Sequence, residues 1–132
     1  VLLNYKLGDV VTLDGAPCHC GRTLPTIARI VGRAGELIVQ PNGKMIYLSV
    51  ITERFSDIPG IIQTQLIQQE PRRFLLNVVY AEWGHWEQAH RKLDAALRAV
   101  LGNDIVTTIQ RVETIVPEPG GKVRAFILQC AG

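Results

Sequence analysis

The amino-acid sequence predicts an α+β fold, a mixed β-sheet with helices on one face, and three observations carry that prediction. Residues 85–101 place Trp86, Ala89, Leu93, Leu97 and Val100 at steps of three and four, the apolar stripe of one amphipathic helix. Asn42-Gly43 sits between the apolar runs 36–39 and 44–48, the strongest short-range signal for a β-hairpin. Strand-like runs also come in pairs, 61–68 with 74–80 before the helix and 105–112 with 123–128 after it. The resulting order, β-hairpin, α, ββ, α, ββ, suits helices packed on one side of a sheet.

Taken in turn, each element has its local reason. Residues 49–55 read as a short helix, with Val50, Ile51 and Phe55 on one face. Gln69-Glu70-Pro71-Arg72 breaks the next two strands as a turn. On the polar side of the long helix, Glu87/Arg91 and Asp94/Arg98 are acid-before-base pairs four residues apart, the favourable order. Gly102-Asn103 is expected to end that helix with a left-handed cap. Pro117-Glu118-Pro119-Gly120-Gly121 separates the last two strands. The first thirty residues differ: the short runs 1–6, 9–13 and 26–31 are broken by Gly8-Asp9, Asp14-Gly15 and a Pro17/Cys18/Cys20/Gly21 cluster. Three short strands do not readily make a core, so they are assigned to a neighbouring domain. Two glycines in Gly32-Arg33-Ala34-Gly35 suit a hinge. The expected division is therefore 1–32 as the tail of a larger N-terminal domain, 33–35 as hinge, and 36–132 as the C-terminal domain. Strand edges left bare by such an excision would let two copies pair as a homodimer.

Composition narrows the function. The 132 residues are 47% hydrophobic and 20% charged, an ordinary globular balance. Fourteen basic against twelve acidic residues, net +2, give no electrostatic footprint for nucleic acid or a membrane surface. No apolar run reaches the roughly 18 residues that span a bilayer. The three cysteines, at 18, 20 and 130, are an odd set containing a Cys-x-Cys pair, unlike a secreted disulfide framework; a reducing cytoplasm is expected.

Several side chains can carry chemistry. Lys122 follows two glycines, so its ammonium stands at a loop tip where it can meet developing negative charge in another domain's pocket; from that pentapeptide alone, a solvated turn lysine is the favoured account. Asp9, just after a strand and a glycine, can accept hydrogen bonds from sugar hydroxyls; taken on its own, a turn aspartate is the favoured account. Cys18 and Cys20 can give two thiolates to zinc, half a tetrahedral set, with His19 or an outside residue completing it; the alternative is two free thiols. His85 and His90 are five apart and do not share a helix face. His90 is read as structural, and Trp83 and Trp86 as core or domain-contact residues.

Together these residues resemble the C-terminal part of adenylate-forming enzymes, specifically the phenylacetate–CoA ligase family with its coenzyme-adenylating and capsule-biosynthesis relatives. Tyr5-Lys6-Leu7-Gly8-Asp9 is similar to the family's Tyr-x-x-Gly-Asp, and Cys18-His19-Cys20-Gly21-Arg22 to its Cys-x-Cys-Gly-Arg. Gly32-Arg33 resembles its hinge entry, Gln63-Thr64-Gln65-Leu66-Ile67 a subgroup's Gln-rich strand, and Gly121-Lys122-Val123-Arg124 its closing Gly-Lys-x-Arg. Two positions depart: Gly35, followed by Glu36, replaces the usual aspartate after the hinge arginine, and Asn4 stands where arginine is frequent. The resemblance implies a mobile C-terminal lid domain, inactive alone, whose partner is an N-terminal domain holding the phosphate loop and acyl pocket. It implies an acid–thiol ligase that uses ATP with Mg2+ to adenylate a carboxylate, then passes the acyl group to CoA. Asp9 would hold the ribose, Arg33 would contact the nucleotide near the hinge, and Lys122 would bridge carboxylate and phosphate. Two rivals stay open: a freestanding α+β binding or regulatory module, and a relative that adenylates a cofactor or capsule precursor.

Overall fold

Alternation in the strands and a stripe on the helix decide where the chain folds. The computed structural model describes residues 8–16, 18–40 and 42–129, the side chains of Val31 and Ala34 aside. The expected strand 1–6, with Tyr5 of the Tyr-x-x-Gly-Asp motif, and Cys130 lie outside the described residues. Those described fall into two compact units, one ending at Glu36 and the other beginning at Leu37.

In the first unit β1 (Asp9–Asp14) pairs antiparallel with β2 (Thr26–Arg33), and Asp9 stands opposite Arg33. This ribbon leaves Leu13, Ile27 and Ile30 exposed, as two strands without a covering layer must. Arg33 is the last residue of β2, and a single 3-10 turn, Ala34–Glu36, follows it.

The second unit has the element order expected from the sequence. β3 (Leu37–Val39) and β4 (Met45–Tyr47) form the Asn-Gly hairpin, closed by Gly43 N–H donating to Gln40 O at 2.8 Å with Gly43 at φ +80°. α1 (Leu48–Phe55) leads to β5 (Ile61–Glu70), which turns back into β6 (Arg73–Tyr80). α2 (Trp86–Leu101) then crosses to β7 (Val106–Val112), parallel to β6, and the last described strand is β8 (Phe126–Leu128), parallel to β5. The four-stranded mixed sheet therefore runs β7-β6-β5-β8. Phe74, Leu76 and Val78 on one face of β6 are fully buried and cluster with Leu93 and Leu97 of α2 and Ile51 of α1. That clustering is the period of two meeting the period of 3.6. The other face carries Leu75, Asn77 and Val79. Because β7 and β8 occupy opposite edges, residues 113–125 must cross the width of the sheet. Ile115 on this crossing, and Ile67 of β5, are buried outside the main cluster.

Three details differ from expectation. The last strand begins at Phe126 rather than at Val123, since 122–125 belong to the crossing loop. Gly102 does have a positive φ of 101°, but its ψ of 166° lies outside the left-handed helical well; its N–H still closes the helix onto Arg98 O at 2.9 Å. Of the two roles expected for Trp83, core or domain contact, its 74% exposure excludes the core, whereas Trp86 packs edge-on against Tyr80 with centroids 5.3 Å apart. His90 lies against Trp86 at 5.8 Å, the structural place expected of it. Among the described residues no helix is long and apolar enough to cross a membrane.

Candidate functional site

Lys122 is presented by a loop that the rest of the sheet holds in place. Gly121 N–H donates to Glu118 O and Glu118 N–H to Lys122 O, both at 2.9 Å, so residues 118–122 close on themselves. Pro119 fits the first central turn position because its φ is fixed, and Gly120, at φ +116°, takes a conformation that side chains rarely adopt. Arg124 clamps the base: its Nε lies 2.6 Å from Glu118 Oε1. One residue further on, Ala125 O accepts from Leu66 N–H at 2.8 Å, and β8 begins its pairing with β5. The loop is thus tethered to the sheet three residues past Lys122. The Lys122 side chain is exposed, and among the described residues no ion pair or hydrogen bond engages its ammonium. The two charges nearest in sequence, Glu118 and Arg124, satisfy each other, which leaves the lysine's charge for a ligand.

Asp9 and Arg33 are brought together in the first unit. They face each other across the β1–β2 register and form an ion pair, Arg33 Nε to Asp9 Oδ1 at 3.7 Å. With 70% of the Arg33 side chain and 35% of the Asp9 side chain exposed, such a pair is worth only about 0–1 kcal/mol. Either group can exchange its partner for a ligand at little cost.

Cys18 and Cys20 are also adjacent, Sγ to Sγ 2.9 Å, on a turn in which Gly21 N–H donates to Cys18 O. The hydrogen bond from the Cys18 thiol, then one from the Arg22 backbone, hold the Cys20 thiol below its ordinary pKa. Among the described residues no group of three His, Cys, Asp or Glu side chains converges as a metal site, so His19 does not join the two thiols. Tetrahedral zinc with bonds of about 2.3 Å would also need the sulfurs roughly 3.7 Å apart. The pair fits zinc only as half a ligand set that opens slightly.

Sequence reading alone did not reveal what braces the Lys122 loop. Gln65, only 8% exposed, donates from Nε2 to Arg124 O at 2.9 Å. Its Oε1 accepts from Asn77 Nδ2 at 3.3 Å, and Asn77 Oδ1 accepts from Gln110 Nε2 at 2.7 Å. The available signal was a polar residue at a mid-strand position of each of three consecutive strands. A separate cleft of about 220 Å³, lined by Ile58, Tyr80, Trp83, His85 and Lys92, contains none of Asp9, Cys18, Cys20, Arg33 and Lys122.

Residues 38–129 match the family described as the CapK C-terminal domain. Among solved structures, 2-hydroxyisobutyryl-CoA ligase in an open conformation, in complex with 2-HIB-AMP and CoA, superposes with a TM-score of 0.54 at 22% identity, covering 91% of this chain and 27% of that one. Apo MatB from Rhodopseudomonas palustris gives 0.56 at 19% identity, covering 89% and 22%. The amide bond synthetase McbA from Marinactinospora thermotolerans gives 0.52 at 20% identity, covering 95% and 24%. At these identities the likeness is one of fold, and the chain spans about a quarter of the length of those proteins. No curated protein matches the chain.

Proposed function

Since the chain belongs to the CapK C-terminal domain family, we propose that it is the mobile lid of an ATP-dependent, adenylate-forming ligase. On this reading residues 1–32 are the tail of an N-terminal domain that holds the nucleotide and acyl pockets, 33–35 are the hinge, and 36–132 are the lid. The observation that carries it is the Lys122 loop: an unengaged ammonium on a glycine tip, tethered at its base to the four-stranded sheet. The fold shared with a ligase whose structure holds 2-HIB-AMP and CoA supports the same view.

In the first step a carboxylate oxygen attacks the α-phosphorus of ATP and pyrophosphate leaves, giving an acyl-adenylate. Lys122 lies between the attacking carboxylate and the phosphate, where its charge stabilises the added negative charge of the transition state more than the ground state. Such in-line chemistry asks the protein for placed charge rather than a covalent group. Asp9 accepts the ribose hydroxyls, and Arg33, released from Asp9, meets the nucleotide. Mg2+ carried in with ATP would supply neutralisation of the phosphate charge, with no ligand to it assigned to this chain. Hinge rotation then withdraws Lys122 and admits CoA, whose sulfur attacks the acyl carbon and expels AMP. A cytoplasmic setting suits ATP, CoA and free thiols; Cys18 and Cys20 offer half a zinc site whose other ligands come from elsewhere.

A second reading keeps the adenylate and changes the acceptor. The amide bond synthetase shares the fold about as well, so the acyl group can pass to an amine instead of CoA. The test is pyrophosphate exchange into ATP by the full-length protein, against a panel of aryl and aliphatic acids. Some acid should support exchange, and Lys122→Ala should lower it by about 10²–10³. Exchange unaffected by Lys122→Ala would remove the lysine from the mechanism, and no exchange with any acid would favour a binding module.

A further inference from the structure

The side chains that hold the Lys122 loop form one directed chain across the whole sheet. Gln110 on β7, Asn77 on β6 and Gln65 on β5 are aligned in register, Gln65 opposite Asn77 and Asn77 opposite Gln110. Their amides donate in sequence, Gln110 to Asn77 at 2.7 Å, Asn77 to Gln65 at 3.3 Å, and Gln65 to Arg124 O at 2.9 Å. A backbone carbonyl can only accept, so it fixes the orientation of the Gln65 amide. That leaves Oε1 to face Asn77, which must then offer its NH2 and leave Oδ1 to Gln110. The polarity of the ladder is thus set at its Arg124 end, two residues from Lys122.

Gln65 is the part of the ladder that neither solvent nor a neighbour can replace. It is buried, whereas Gln110 is exposed and its place can be taken by water. Arg124 meanwhile serves both sides, its carbonyl fixed by Gln65 and its guanidinium holding Glu118 across the mouth of the loop. Loss of the Gln65 donor would leave a carbonyl unpaired beside the sheet and free the base of the loop. We infer that Gln65 is a positioning residue, which sets the Lys122 loop in its working conformation through the Arg124 carbonyl. The inference rests on the proposed role of Lys122 for its functional meaning, but its structural content can be tested alone.

The experiment is hydrogen exchange over residues 113–125 in the full-length protein, with Gln65→Leu and Gln65→Glu, at pH 8 and pH 5. Gln65→Leu removes the donor, so the loop should exchange about tenfold faster at both pH values, the scale of one hydrogen bond, while α2 is unchanged. In Gln65→Glu the loop should be fast at pH 8, where a carboxylate faces the carbonyl. It should return to the wild-type rate at pH 5, where the protonated acid again donates. Burial raises that carboxyl's pKa, which favours the protonated acid at the lower pH. The Glu118–Arg124 pair is common to all variants, and Gln65→Leu at both pH values controls for it. Unchanged loop exchange in Gln65→Leu, a Gln65→Glu response without pH dependence, or equal acceleration in α2 would each overturn the inference. None of these readings depends on Lys122 being catalytic; failure of that role appears instead as pyrophosphate exchange that survives Lys122→Ala.

Discussion

Asp94 should contribute measurably to the stability of the second unit, and the effect should depend on pH. Its Oδ2 accepts from Arg98 Nε at 2.8 Å and its Oδ1 from the Thr107 hydroxyl at 2.5 Å, so one carboxylate joins α2 to β7. Arg98 in turn donates to Asn103 O and Ile105 O, closing the connection between those elements. The Arg98 hydrogen bond first, then that of Thr107, hold the Asp94 carboxyl below its usual pKa. Asn at this position keeps the shape but offers an NH2 to one of two donors. Bonds to a charged group are worth about 1.5–3 kcal/mol. With about a third of both side chains exposed, solvent screening reduces the expected cost of Asp94→Asn to about 1–2 kcal/mol. For a unit of this size that corresponds to a Tm lowered by roughly 5–12 °C. Since the folded pKa lies below the unfolded one, the contribution is complete above the unfolded value of about 3.9 and is lost as pH falls through the folded value. Urea unfolding of wild type and Asp94→Asn at pH 7, 4 and 2 measures this directly. The gap between them should be full at pH 7 and smaller at pH 2. A gap below about 0.3 kcal/mol at pH 7, or one independent of pH, would refute the reasoning.

Three further outcomes are expected. A Cβ on Gly84 would stand 2.5 Å from Cε1 and Cζ of the buried Tyr80 ring, so Gly84→Ala should cost about 1–3 kcal/mol in chemical denaturation, and Tyr80→Leu should relieve part of it. Phe74, fully buried at the centre of the core, should cost about 3–5 kcal/mol as Phe74→Ala, whereas the exposed Trp83→Ala should stay within about 0.5 kcal/mol. Iodoacetamide should alkylate Cys20 faster than Cys18 below neutral pH, read by peptide mass spectrometry, and Cys18→Ala, which removes the donor, should move the Cys20 profile to higher pH.

Much of the fold was legible because local signals and burial agree. The α2 stripe, the Asn-Gly hairpin and the paired strands each follow from a spacing that only one element satisfies, and the mixed sheet follows from their order. What stayed hidden depends on distant parts of the chain. Residues 123–125 alternate like a strand, yet the crossing from one sheet edge to the other consumes them before pairing begins at Phe126. Trp83 looks like core by its chemistry, but Tyr80 and Trp86 already fill that corner. At the site, Asp9 and Arg33 were legible as charged groups beside turns, but their pairing requires the β1–β2 register. The Gln65 ladder was least accessible, because three amides on three strands become a unit only once the sheet is assembled.

On the proposed reading Lys122 serves the adenylation step and is withdrawn before acyl transfer. In the full-length protein the two steps can be separated: acyl-adenylate formation from acid and ATP, and acyl transfer from a supplied acyl-adenylate. Lys122→Ala should slow the first by about 10²–10³ and the second by less than about threefold. Equal loss in both steps would mean the substitution damages the lid as a whole, and loss in neither would contradict the account.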